Sequence, residues 1–585
     1  MTGPLEAAAS EATIDGRTST TTRVGDEHRA AACPVPVYAT PETRAFPVAQ
    51  LLTRRATPWY SLGWLVANFG HLIASAVAKS DIDGRDWMSP DEPTALAEQV
   101  ARAAGFAHVS AGSLTDAKGA DVWIDYVADT GDDADVSREV ARLVARRYAL
   151  TLPDTGEALD APRGDLLFFG GDSAYPIATG AQLKLRLVDP WNEALAEADD
   201  GRTRALLATP GNHDWNDGLD GFARLFRRKK TQTPDTAPPS APPLALRGYV
   251  AVQDASYFVL PLARELALFA PDRQLDKVDF RQRAYFDEFR RAHPQCTAVL
   301  TQGDPCFAFG LPNADGQETR AALGLAKERA LILAGDSHYY MRLDEPVGEG
   351  ATATHITAGG GGASLHPTMD SLGETPPALR LWPSPAESSA LAGAVPWRLW
   401  SGASGWLVHV GLAALYTLFF GAAALLAAHI AWQNVPFLMA TAVLLGIALD
   451  SFGKLFDGRP HEPQWRGATS LTSLALAGIP FGVTLALDHF VPGIGAVWKA
   501  LAAIGTGTLL GPLFIGSLFL WAVRAGVDQT MAFAALAHPG FKHFLRMRVR
   551  HDGSAIDVWC IGLRNPLEAG EPPVLVDSFC WKVRG

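Results

Sequence analysis

Four apolar runs in the first two thirds of the chain each stop abruptly on a polar loop. Leu206 to Asp217 (LLATPGNHDWND) is the sharpest, an apolar run broken by Pro210-Gly211 and followed at once by Asn212, His213 and Asp214. Asp165 to Pro176 (DLLFFGGDSAYP), Ala330 to Tyr339 (ALILAGDSHY) and Val122 to Asp132 (VWIDYVADTGD) repeat the design. Each reads as a buried strand with polar side chains in the loop at its end. In an α/β sheet, sites are built in such loops, outside the carboxyl ends of strands. Between them Val136, Val140, Leu143, Val144 and Tyr148 fall on one face of a helix, giving half of a βαβ unit. The same pattern predicts helices over Pro93–Phe106, Asp279–Arg291 and Glu318–Arg329, and strands within Gly248–Leu262 and over Thr297–Thr301. Phe544–Arg550, Ala555–Leu563 and Val574–Trp581 predict a hairpin and a third strand in a β-rich tail.

A second pattern dominates the last third. Leu399 to Leu449 contains no Asp, Glu, Lys or Arg and is divided by Asn434-Val435-Pro436; Gly467–Leu487 and Ala500–Val523 are also free of those charges. Against a hydrocarbon core of roughly 30 Å, these runs predict four transmembrane helices. Arg398, Lys454, Arg459, Arg466, Arg524 and Lys542 lie at one set of ends, which places both flanks in the cytoplasm. No charge falls near a midplane, so the helices read as an anchor or an assembly surface for an oligomer rather than a transport path. A transporter with a regulatory site domain is the weaker alternative. Trp59–Ala78 is charge-free too, and reads either as a buried or interfacial helix or as a further span.

Composition agrees with this division. Charged residues are 19% of the 585, below the roughly 25% of soluble proteins, and hydrophobic residues are 48%. The net charge of -12 argues against nucleic-acid binding. Five scattered cysteines without a CxxC indicate neither a disulfide framework nor a thiolate metal site and suit a reducing compartment. The N-terminus lacks a signal-peptide pattern. The chain therefore divides into a largely disordered 1–56, a helical 57–120, a site domain 121–370 with a loop insertion at 228–246, a linker 371–400, the membrane region 401–527 and the tail 528–585.

In order, GGDSAYP, GNHDW, GDSH and the Gly359–Gly362 run resemble the calcineurin-like metallophosphoesterase superfamily, over about Val122 to Pro367. The pattern is most similar to that of purple acid phosphatases. Asp129-Thr130-Gly131 matches their Asp-x-Gly motif, Gly171-Asp172-Ser173-Ala174-Tyr175 their Gly-Asp-x-x-Tyr, and Gly211-Asn212-His213 their Gly-Asn-His. Gln302 and Asp336 stand where that family has histidines, whereas His338 is kept. The resemblance implies an α/β fold with a two-sheet βαβ sandwich. It also implies two metal ions, one held by Asp129, Asp172, Tyr175 and His338, the other by Asp172 as bridge, Asn212, Gln302 and Asp336. The all-oxygen second set favours Mn, Mg or Fe over Zn. His213 is then expected to act on the transferring phosphoryl or leaving group, with Asp214 orienting its ring. The implied function is hydrolysis of phosphate esters through a metal-bridging hydroxide by a multi-pass protein of the cell inner membrane, its site domain cytoplasmic. The departures at Gln302 and Asp336 keep a second reading open: a catalytically weak metal-binding scaffold or sensor at the membrane.

Overall fold

The computed structural model describes residues 32–39, 57–78, 85, 88–229, 244–273, 277–348, 350–370, 375–421, 442–443, 445–447, 463–526 and 530–584. In chain order the strands that matter are β1 (Val122–Val127), β2 (Leu166–Phe169), β3 (Arg204–Ala208), β4 (Tyr249–Ala251), β5 (Phe258–Ala263), β6 (Leu266–Ala270) and β7 (Thr297–Gln302). They continue with β8 (Ala330–Ala334), β9 (Tyr340–Pro346), β10 (Thr352–Ala358), β11 (Arg380–Trp382), β12 (Lys542–Val549), β13 (Ala555–Leu563) and β14 (Val574–Lys582). They form two seven-stranded sheets, ordered β14-β13-β12-β1-β2-β3-β4 and β11-β9-β10-β8-β7-β6-β5. β1 to β4 run parallel, as do β6, β7, β8 and β10. Parallel strands are normally covered on both faces, and alternation along each strand shows how. Tyr126, Phe168 and Leu207 of the first sheet share one apolar cluster with Leu268, Val299 and Leu333 of the second. Trp123, Val127 and Phe169 point the other way, into a cluster with Val136, Val140 and Trp191.

The β-rich tail is not a separate unit. β12 pairs antiparallel with β1, Leu545 opposite Tyr126, and so extends the sheet that carries two of the motif loops. Arg546, fully buried, fixes that pairing with a two-pronged bond to Asp125 at 2.7 and 3.2 Å. The expected linker 371–400 is likewise structured, holding β11 and helices Pro385–Ala392 and Val395–Trp400. Two local expectations shift. Tyr148 begins a strand, Tyr148–Thr151, rather than ending the Ala134–Ala145 helix. The helix expected over Glu318–Arg329 is Ala314–Ala322, and Gly324 turns the chain at a φ of 71° that a side chain disfavours.

Among the described residues two helices are long and apolar enough to cross a membrane: Pro463–Phe490 and Ala496–Ala525. The second, at 30 residues, is about 45 Å long by a 1.5 Å rise per residue. They pack as a hairpin, so Pro463 and Ala525 lie at one end and Phe490 and Ala496 at the other. The Leu407–Tyr416 helix and the short Val395–Trp400 helix pack against Ala496–Ala525. A Cβ on Gly516 would come within 2.5 Å of Pro396 Cα, so a glycine is what lets them touch. The first expected span is described only as far as Gly421, and most of the second, Pro436–Leu449, lies outside the described residues, as do most of 1–56 and of the 228–246 insertion.

Candidate metal centre

Asp129, Asp172 and Asp336 follow β1, β2 and β8, and each has a left-handed backbone, φ 58°, 49° and 63°. Only seven described non-glycine residues have positive φ, and three of them are these aspartates. Such a conformation costs a side-chain-bearing residue about 1–3 kcal/mol, and strain of this kind concentrates at functional sites. The strained turns bring the side chains together. Tyr175 Oη lies 3.0 Å from Asp129 Oδ1, 3.3 Å from Asp172 Oδ2 and 2.9 Å from His338 Nε2. Asp336 N donates to Asp129 Oδ1 at 3.0 Å, and His213 N to Asp172 Oδ1 at 2.9 Å. Glycines make the approach feasible: a Cβ on Gly211 would meet Asp172 Oδ1 at 2.1 Å, and one on Gly335 or Gly359 would meet Asp129 Oδ2 at 2.6 or 2.7 Å.

His338 is held in one orientation. Its Nδ1 bonds the Ser364 carbonyl at 2.6 Å, which turns Nε2 towards Tyr175 and Asp129. A backbone partner of this kind fixes the tautomer of a metal-binding imidazole. Burial, then His366 beside it, depresses the His338 pKa well below the usual value and keeps the ring neutral. Burial first, then the Asp172 and Asp336 charges, raises the Asp129 pKa. Asp336 is raised too, by desolvation and then by Asp304, Asp172 and Asp315. The Tyr175 phenol is raised by burial and by Asp129 and Asp172. Like charges crowded in a dry site hold protons that a cation would displace.

The cluster offers hard donors, carboxylate and amide oxygens beside one neutral imidazole. Among the described residues, Asp129 Oδ2 and Gln302 Oε1 are buried without a hydrogen-bond partner, although buried polar atoms are ordinarily paired. The Gln302 amide nitrogen is tied to the Asp304 and Gly316 carbonyls at 2.7 and 3.2 Å, which leaves the amide oxygen as its free end. Asn212 opens a short helical turn directly after Gly211, next to the His213 amide that grips Asp172.

Asp214 does something other than orient His213. It is fully buried and accepts from Gly211 N at 2.8 Å, Ser173 N at 3.2 Å and the Ser173 hydroxyl, so it pins the two motif loops to each other. Burial and Asp172 push its pKa up to about 7. The His213 ring is held instead through Nδ1 by the Pro176 carbonyl at 2.6 Å, with the Tyr175 ring 4.4 Å away. One neighbour of the site escaped the sequence reading. His366 stacks on His338 at 3.8 Å and sits four residues beyond the glycine run, which is the signal that could have found it. Asp132 is buried and supports the site from behind, accepting from Thr57 N at 2.7 Å and Ser364 N at 3.1 Å.

No family model matches the chain, and no curated relative does. Among solved structures it is similar to one described as GAP50, the anchor in the inner membrane complex of Plasmodium, at 10% identity over 45% of this chain and 78% of that one. The TM-score is 0.27, too loose a superposition to carry an argument. The fold and site define a mixed α/β protein with a strained acidic loop cluster and two apolar helices of membrane-crossing length.

Proposed function

We propose that the chain is a membrane-anchored, dinuclear metal-dependent phosphoesterase built on a two-sheet metallophosphoesterase sandwich. The observation that carries this reading is the convergence of Asp129, Asp172, Tyr175 and His338 at hydrogen-bond distance on strained loops, with Asp129 Oδ2 left unpaired. Asp129, Asp172, Tyr175 and His338 would hold one cation, and Asp172, Asn212, Gln302 and Asp336 the other. Such a pair supplies an acidified water and a positive clamp on the phosphoryl oxygens. The protein's own groups do the rest. The His213 amide fixes the Asp172 carboxylate, and Asp214 locks the Gly211 and Ser173 loops at their spacing. The Pro176 carbonyl occupies His213 Nδ1, so Nε2 is the ring atom that would give a proton to the departing oxygen.

The scaffold alternative keeps the same ligands and gives up turnover. Full-length protein supplied with Mn or Fe separates the two on a panel of phosphate monoesters and diesters. The enzyme reading expects metal-dependent release of product from at least one ester; tight metal binding with no turnover across the panel favours the scaffold.

The site domain and the basic residues Arg398, Arg466 and Arg524 lie at the same end of the helices, which favours the cytoplasm for that end. Reporters fused at the C-terminus and within residues 231–243 should then both resist protease added outside sealed cells. Cleavage of only one of them would require an odd number of spans.

A further inference from the structure

The segment that precedes the first apolar helix passes directly beside the site. Thr57 is held by Asp132, and the Trp59 ring lies 6.2 Å from that of His213. The next residue belongs to the membrane region. The Tyr60 carbonyl accepts from Leu407 N at 2.9 Å, its hydroxyl donates to the Met531 carbonyl at 3.1 Å, and a Cβ on Gly405 would come within 2.2 Å of its oxygen. One dipeptide thus connects the face of His213 to the first turn of the Leu407–Tyr416 helix.

From there the Leu62–Ala78 helix carries Leu62, Val66, Phe69 and Ile73 exposed at 39, 68, 58 and 47%. Their spacing of four, three and four places them on one stripe, and the helix contains no charged residue. Trp397, Trp400 and Trp406 are exposed just before the Leu407–Tyr416 helix. Tryptophans in that position mark the headgroup level of a bilayer. Phe490 and Trp498 are exposed at the opposite end of the long hairpin, where the second interface belongs. A bilayer is therefore the occupant that covers the stripe, continuous with the charge-free helices it starts beside.

We infer that the substrate is a phosphate ester of a bilayer lipid, drawn from the membrane surface so that its acylglycerol leaves past Trp59. This rests on the phosphoesterase reading. Water adds to phosphorus, the P–O bond to the lipid alcohol breaks, and that alcohol's oxygen takes the proton on the His213 side. The alcohol then departs towards the Leu62–Ala78 stripe, and the phosphate departs towards water.

The test uses the full chain with Mn in phosphatidylcholine vesicles carrying phosphatidic acid or, as the diester, phosphatidylglycerol. Glycerol phosphate, a nucleoside monophosphate and an aryl phosphate are the soluble comparison. A lipid ester should exceed glycerol phosphate in kcat/KM by about tenfold or more. Val66→Asp/Phe69→Asp should lower the lipid-to-aryl ratio by more than tenfold, because withdrawing even one such apolar side chain from the bilayer is worth at least about a tenfold step. Turnover of soluble esters with neither lipid cleaved, or a ratio unmoved in the double variant, overturns this inference and leaves the phosphoesterase standing. No turnover of any ester removes both. The wild-type comparison decides alone should the double variant not fold.

Discussion

Asp172→Ala is expected to release both cations and to abolish turnover. The two Asp172 oxygens face different neighbours, Oδ1 the His213 amide at 2.9 Å and Oδ2 the Tyr175 hydroxyl at 3.3 Å, and the proposed centre has this carboxylate shared by both ions. Supporting residues outside the ligand shell already cost about 10–100-fold in metal affinity, so loss of a ligand shared by both ions should exceed that for each of them. Asp336→Ala should behave differently. It removes a donor from one side only, so one tightly held ion should remain while the other weakens. Elemental analysis after gel filtration reads both outcomes. Two tightly held ions in Asp172→Ala would show that this carboxylate is no bridge.

His213→Ala should leave the metal content unchanged and lower turnover by an amount that depends on the leaving group. General acid catalysis is worth about 10²–10⁴-fold, and the loss should fall in that range for an alkyl ester. An aryl phosphate should lose much less, because a departing phenolate hardly needs a proton. The loss belongs to His213 itself, since its ring is held by the Pro176 carbonyl and not by a carboxylate. Asn212→Ala should instead cost both metal and activity for either ester. Equal losses on alkyl and aryl esters in His213→Ala would make the residue a binder of the phosphoryl group and not a proton donor.

The motif loops were legible because each is local: an apolar strand, a glycine, then a polar residue, all within a dozen positions. Periodicity likewise gave the Phe280–Ala292 helix and the β12–β13 hairpin nearly to the residue. What escaped depends on contacts between distant segments. Asp214 follows His213 in sequence, yet its partner is Ser173, 41 positions earlier, and only the packing of the two loops decides that. The pairing of the tail with β1 was not legible because the bond from Arg546 to Asp125 spans 421 positions. Trp59 gives no sign in the chain that it will reach His213; its place is set by bonds of its neighbours Thr57 and Tyr60 to the distant Asp132, Leu407 and Met531. Gln302 was readable as a polar residue at a strand end, but its free oxygen follows from carbonyls that occupy its nitrogen.

Calorimetric titration of Mn into the metal-free full chain tests the central claim most directly. Folding without metal raises the pKa of Asp129 and Asp336 above the ordinary carboxylate value of about 4. The folded chain then holds protons that the unfolded chain has lost, so metal-free stability falls as pH rises from that value through the raised ones. Cations replace those protons, so their apparent affinity should rise over the same window. The account predicts two ions per chain, net proton release on binding, and tighter binding at higher pH. A single ion, or uptake with no proton released at any pH across the window, would contradict it.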